Sequence, residues 1–307
     1  MDVIHGYTMT QPFSCQDAGT CMWGYCEKDG HGFFIKKFLQ PKYPADTNGF
    51  SEAILERKKR MCEDFYVQKQ RFYTALSRCA TGNLVFVRDF FREGSSYYAV
   101  SEKMPVGGIS PDRVRTLDLN QKMTLLREIL FSISRLHAQH IIHADIKPDN
   151  FLLKQTKKGY CTAKIIDFDA GFFEDEPPRE IQGDPVYLAP ETFLAMDGEP
   201  VKLTTKLDIF ALGILFHQYL TGELPGIPED NQYIFEAVLD GATLTFSPDL
   251  SLELSGMIRR MLSRNPDCRP SASELFAMLA PAVPPEPEPV KPPVSHPKGF
   301  YMPSDFD

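Results

Sequence analysis

The feature that most constrains this chain is a change of hydrophobic period near residue 118. Before it, apolar residues come in short aromatic and β-branched runs, Gly32-Phe-Phe-Ile-Lys-Lys-Phe38, Leu84-Val-Phe-Val-Arg88 and Tyr97-Tyr-Ala-Val-Ser101, which is the composition of strands. Arg92-Glu-Gly-Ser-Ser96 joins the last two as a hairpin turn, because Gly and Ser tolerate the backbone conformations a tight reversal needs. From Asp118 onward Met123, Leu126, Ile129 or Leu130, Ile133 and Leu136 recur every three to four residues, the period of one helix face.

One segment interrupts the strands. Ser51 to Cys79 is dense in Glu, Lys, Arg and Gln and holds neither Gly nor Pro, so it predicts a single long helix capped at Asn48 or Ser51. The expected fold class is therefore α+β, a β-rich lobe with one long helix followed by a mainly helical lobe, with a ligand cleft between them.

The balance of 33 Lys+Arg against 41 Asp+Glu gives a net charge of -8, which argues against nucleic acid and anionic membranes as partners. No signal-peptide pattern opens the chain, and the apolar stretch Ile209 to Leu220 is interrupted by Gly213, His217 and Gln218. It is too short to span a bilayer, so we expect a buried helix and a cytoplasmic protein without membrane insertion. The seven scattered cysteines lack a Cys-x-x-Cys pair, as expected for reduced thiols. After Ala280, seven prolines fall within thirteen residues, marking an extended tail or linker on which a partner could dock.

Three short segments carry the chemistry: His143-Ala-Asp-Ile-Lys-Pro-Asp-Asn150, then Asp167-Phe-Asp169, then Ala189-Pro-Glu191. Taken singly, Asp145 and Asn150 are turn formers and Asp167 is a strand-end residue. Taken in order, the three segments resemble the catalytic loop, the metal motif and the end of the activation segment of the eukaryotic-like serine/threonine protein kinase family. The departures described below resemble bacterial members more than animal ones.

The resemblance implies a bilobal kinase fold: a nucleotide-binding N-lobe at 1–104, a catalytic and substrate-binding C-lobe at 105–280, and the proline-rich tail at 281–307. It also implies transfer of the γ-phosphoryl group of ATP to a protein substrate, with Mg2+ or Mn2+. Asp145 then takes the acceptor proton and Lys147 offsets phosphoryl charge, while Asn150 and Asp167 supply hard oxygen ligands to the metal. Lys147 also implies serine or threonine acceptors. Lys36 is placed to bind the α and β phosphates, with Lys37 as the alternative if the strand slips by one residue. Its carboxylate partner is expected on the long helix, where Glu52, Glu56 and Glu63 qualify by type and Glu63 lies deepest. Gly19 is the central glycine of a phosphate-covering loop. Ser101 to Pro105 fits the hinge, with backbone groups of Glu102 and Met104 facing the adenine edge. Asp208 is expected to cap amides of the catalytic loop, and Arg269 to pair with Glu191.

Four departures from the family pattern stand out. Ala144 replaces the arginine that binds an activation-loop phosphate, and no Ser, Thr or Tyr occurs between Asp169 and Gly183, where Glu174, Asp175 and Glu176 are already acidic. Activity is thus expected without phosphorylation of that loop. Asp169 and Asp184 replace the usual glycine and threonine. Phe34 replaces a small residue over the adenine ring, two positions before Lys36 on the same strand face, and is expected to narrow the nucleotide pocket.

Overall fold

Alternation along β-strands decides which residues of the first lobe reach the cleft. The computed structural model describes residues 2–16, 19, 21–45, 49–79, 82–104, 111–155, 161–178 and 180–279. Strands β1 (Val3–Ile4), β2 (Tyr7–Met9), β3 (Cys21–Lys28) and β4 (His31–Phe38) precede helix α1 (Glu52–Arg78), which is followed by β5 (Val87–Glu93) and β6 (Ser96–Glu102). The six strands form one antiparallel sheet in the order β1-β2-β3-β4-β6-β5. In β4, Ile35 is fully buried in an apolar cluster with Tyr7, Met9, Cys26, Phe91, Tyr98 and Val100 on one face. Phe34, Lys36 and Phe38 turn to the other face, because successive side chains alternate.

The long polar segment forms the expected helix. Ser51 is its N-cap residue and Cys79 its C-cap, so α1 runs for 27 residues, roughly 40 Å at 1.5 Å per residue. The proposed cap at Asn48 lies outside the described residues. Only Cys62, Phe72, Tyr73 and Leu76 are buried along it, so a narrow seam holds the helix to the sheet. Phe38, Phe65 and Phe90 close that seam with edge-to-face rings 5.4 to 6.2 Å apart, an arrangement that adds about 0.5–1.5 kcal/mol per pair beyond area burial.

The expected strand at Leu84–Arg88 lies further along the chain. Val85 N–H donates to the Ile165 carbonyl at 2.9 Å, and Ile165 N–H donates to that of Asn83 at 2.8 Å. This draws Asn83 to Val85 out of the hairpin and onto the segment just before Asp167. The hairpin reverses at Gly94, whose φ is +61°, a conformation that favours glycine.

The second lobe carries α2 (Pro111–Val114), α3 (Leu119–His137), β7 (Ile141–Ile142), β8 (Phe151–Gln155), β9 (Cys161–Ile165) and β10 (Phe172–Phe173). Helices α4 (Pro190–Met196), α5 (Lys206–Thr221), α6 (Ile234–Leu239), α7 (Leu252–Met261) and α8 (Ala272–Met278) complete it. Asp118 caps α3 through a reciprocal pair with Gln121, which satisfies two end donors at once. Along α3, Leu126, Ile129, Leu130, Ile133 and Leu136 are buried as their period predicts, and Met123 is half-buried. Helix α5 is buried nearly all round, which explains the apolar run read from the sequence. A Cβ on Gly213 would meet Leu262 and Met261 at 3.0 Å, so glycine is what lets α7 lie this close. No described helix is long and apolar enough to cross a membrane. Cys15, Cys21, Cys26, Cys62, Cys79 and Cys268 form no disulfide.

Candidate active site

Between the lobes opens a cleft of about 610 Å³ whose walls include Gly19, Lys36, Asp145, Lys147 and Asp167. The lower wall is built from the catalytic loop. Asp208, at the start of α5 and fully buried, accepts N–H donation from both His143 and Ala144 at 2.9 Å, and His137 Nε2 lies 2.9 Å from it. This clamp holds Ala144 at a φ of +63°, a left-handed conformation that costs an L-residue roughly 1–2 kcal/mol and needs enforcing. His143, itself buried, donates from Nε2 to the Ile166 carbonyl at 3.2 Å and accepts the Asp145 N–H at Nδ1.

The backbone thus fixed aims Asp145 at the cleft. Its Oδ2 receives both Lys147 Nζ at 3.0 Å and the Asn150 amide nitrogen at 2.8 Å, while Asn150 also donates to the Asp145 carbonyl at 2.6 Å. Oδ1 takes no hydrogen bond among the described residues. Burial works against the Lys147 charge, but the bond to Asp145, with Asp184 and Asp149 behind it, leaves the ammonium pKa above the usual lysine range.

The upper wall contributes Lys36 from β4. Its Nζ reaches Asp167 Oδ1 at 2.8 Å and Asp169 Oδ2 at 2.7 Å. Burial alone would lower its pKa, yet the carboxylates of Asp169 and Asp167 outweigh burial and raise it. Burial pushes the Asp167 carboxyl upward in turn, and Lys36 more than reverses this, holding it below the usual range. Lys37 points to the opposite sheet face, 5.7 Å from the Phe13 ring centroid, so the strand register selects Lys36. Asp167 has a φ of +60°, a second strained position in the same cleft.

Glu63 is a correction. It is exposed, as are Glu52 and Glu56, and Lys36 makes its ion pairs among the described residues with Asp167 and Asp169. The reason is helical phase: Glu63 sits six residues before Lys69, about 120° round the helix. It is Lys69 that faces the metal motif, its Nζ 3.3 Å from the Asp169 carbonyl. Reading residue type without phase missed Lys69. A helical projection from the buried positions Phe72, Tyr73 and Leu76 places it on their face.

Phe34 does stand two residues before Lys36 on the cleft face, and it is not alone. Trp23 stacks on it with centroids 5.9 Å apart, and Tyr25 meets it edge-on at 5.8 Å. Lys103 Nζ lies 4.5 Å from the Tyr25 centroid. The expected hinge residues Glu102 and Met104 are not among the residues lining this cavity; Glu102 ends β6 and reaches Arg88 at 3.8 Å. Sequence reading found Phe34 and missed Trp23 and Tyr25, which alternation on β3 places on the same face. Gly19 lines the cleft with a φ of +52° and open space where a Cβ would stand.

Away from the cleft, Arg269 meets Glu191 through two bonds of 2.6 and 2.9 Å, with both side chains almost fully buried. The protein kinase domain family model matches residues 54–279. The chain belongs to the protein kinase family. This kinase domain is 30% identical over 257 residues to calcium-dependent protein kinase 7 of Oryza sativa, covering 81% of this chain and 46% of that protein. It is likewise 30% identical over 286 residues to the serine/threonine-protein kinase PkaA of Streptomyces coelicolor, covering 88% and 48%. A CDPK-related protein kinase of Daucus carota is 29% identical over 231 residues, covering 71% and 36%. The kinase domain described here thus spans half or less of the length of each of these relatives.

Proposed function

We propose that this kinase domain transfers the γ-phosphoryl group of Mg-ATP to serine or threonine hydroxyls of a protein. The observation that carries the reading is that Lys36, Asp145, Lys147 and Asp167 line one cleft, with Asn150 bonded to Asp145. The donor set suits the cofactors: Asp167 and Asn150 offer the hard oxygens a magnesium ion prefers, and Lys36 offers the cation that phosphates need. The bound ion would neutralise phosphate oxygens. In this reading Asp145 orients the acceptor hydroxyl and takes its proton, and Lys147 offsets charge on the group in transit.

The activation segment supports independence from phosphorylation. Glu176 pairs with Arg71 of α1 at 2.6 Å, while Glu174 receives the Thr205 N–H at 3.2 Å and lies 3.0 Å from His140 Nδ1. Fixed carboxylates thus occupy a place that an added phosphate would otherwise fill. Phosphatase treatment is expected to leave activity unchanged.

The aromatic group of Trp23, Tyr25 and Phe34 favours a second reading, a pseudokinase acting as a binding or regulatory module. Incubation with γ-labelled ATP, Mg2+ and a generic protein substrate separates the two. Label should reach serine or threonine with the natural chain, and Asp145→Asn should reduce the rate by about a hundredfold to ten-thousandfold. Absence of both transfer and an ATP-induced rise in melting temperature sinks the kinase reading.

A further inference from the structure

The geometry points to Asp169 as the positioning residue for Lys36, supplying from the metal motif the carboxylate that the long helix does not provide. This inference rests on the reading of Lys36 as the phosphate-binding lysine. Lys36 needs a fixed counter-charge if its ammonium is to be held at one point of the cleft, since a lysine has a flexible stem and no directional fork. Asp167 is one partner, at 2.8 Å, but in the proposed reaction its oxygens also serve the metal. Asp169 is the other, at 2.7 Å, and it is drawn into place from three sides. Its own N–H donates to Asp167 Oδ1 at 3.3 Å, its carbonyl accepts from Lys69 Nζ at 3.3 Å, and Cys21 Sγ lies 4.0 Å from its Oδ2.

The face that α1 turns to this motif carries an ammonium and a phenol where a carboxylate was expected. Lys69 is the ammonium. Tyr73 is the phenol, buried, with a hydroxyl that makes no hydrogen bond among the described residues. The acid has therefore moved from the helix to the third position of Asp167-Phe-Asp169, and a base has taken the helix position. One consequence follows for control: the carboxylates that hold Lys36 come from the metal motif, and α1 touches that segment through Lys69 at the Asp169 carbonyl and through Phe72 beside Gly171 and Phe173.

The test uses the full chain and two measurements. Asp169→Asn keeps the side-chain shape and removes the charge, and should raise the KM for ATP about tenfold while kcat falls less than about threefold. Adding Lys69→Glu to that variant returns a carboxylate to the helix and should recover most of the lost affinity. In nucleotide-free protein, Lys36→Met and Asp169→Asn should be non-additive in melting temperature, while Lys36→Met and Glu56→Gln should be additive. An active parent from which Asp169→Asn is indistinguishable in KM, or an additive Lys36/Asp169 cycle, overturns the positioning role alone. A parent with neither phosphate transfer nor a nucleotide-induced melting shift overturns the kinase reading and the positioning role with it.

Discussion

The two walls of the cleft are held in different ways. The lower wall rests on buried, fully satisfied polar groups: Asp208 under the catalytic loop, His143 behind it, and the Arg269–Glu191 pair bracing the end of the activation segment. The upper wall rests on ring stacking and on one ammonium shared between two carboxylates that remain a third or so exposed. Buried networks have few alternative arrangements, because each broken bond leaves a desolvated group behind. Aromatic stacks and partly exposed ion pairs lose less on rearranging, and they can accommodate a ligand. The lower wall is thus the more rigidly held of the two, and the upper wall is the one with room to rearrange.

The largest effect expected from breaking this contrast lies below. Arg269→Met leaves the Glu191 carboxylate buried without a partner, and should cost about 3–5 kcal/mol of stability in chemical denaturation. Replacing both residues by apolar ones should cost much less. Equal losses in the single and double variants would show that packing of the Arg269 stem, not the pair, fixes this corner.

Above, the expected effect is smaller and of the opposite sign for function. Phe34→Ala removes the ring on which Trp23 stacks and opens the wall beside Lys36. The KM for ATP should fall about tenfold, at a stability cost of about 0.5–1.5 kcal/mol for each of the two lost aromatic pairs, with Trp23 and with Tyr25. A rise in KM would mean that the nucleotide base stacks on Phe34 instead of competing with it.

A third test asks whether the lower lobe's network is unconditional. His217, buried in α5, donates from Nδ1 to the Glu223 carbonyl at 2.7 Å and accepts the Ser247 N–H at Nε2, 3.2 Å away. Burial lowers its pKa below the ordinary 6.5, and the Glu223 carbonyl opposes this only in part. The unfolded chain therefore takes up the proton first as pH falls. Stability from this group is present above about pH 6.5 and drains below it, by at most about 1.4 kcal/mol per pH unit. Melting curves between about pH 7.5 and 5.5 should show a steeper loss for the natural chain than for His217→Gln. Parallel curves would place the acid sensitivity elsewhere.

The difference between the walls also explains what could be read from the sequence. The lower wall is made of contiguous segments whose spacing carries the geometry: Asp145, Lys147 and Asn150 lie on one turn-rich loop, and their mutual bonds are local. Asp208 and Arg269 came with short motifs of their own. The extent of α1 was legible from its composition, and the helical period that starts at Asp118 was legible for α3. The upper wall is assembled across the sheet, where pairing register decides which side chains meet. Trp23 opposite Lys36 and Phe34 opposite Ser101 are facts of register, and no short motif encodes them. The same holds for the shifted β5 strand, whose first residues were drawn away by pairing with Ile165, a partner about eighty residues distant. Helix phase was the third loss. A run of charged residues says that a helix forms, while the few buried positions say how it is turned.

Phase is also what makes the smallest expected effect informative. Glu63 and Lys69 share α1, and the sequence alone offers Glu63, beside Glu52 and Glu56, as a mate for Lys36. In the structure Glu63 is exposed to solvent and Lys36 is already neutralised by Asp167 and Asp169. An exposed charge that makes no ion pair among the described residues contributes within about 0.5 kcal/mol. Glu63→Gln should therefore change neither the melting temperature nor the KM for ATP by more than about twofold in the equilibrium it reports. If it instead raised the KM as far as Asp169→Asn, α1 would have to turn by about 120° during the reaction cycle to bring Glu63 inward. That rotation would carry Lys69 off the Asp169 carbonyl, so the two variants together distinguish a wall that is set once from a wall that is re-set by its helix.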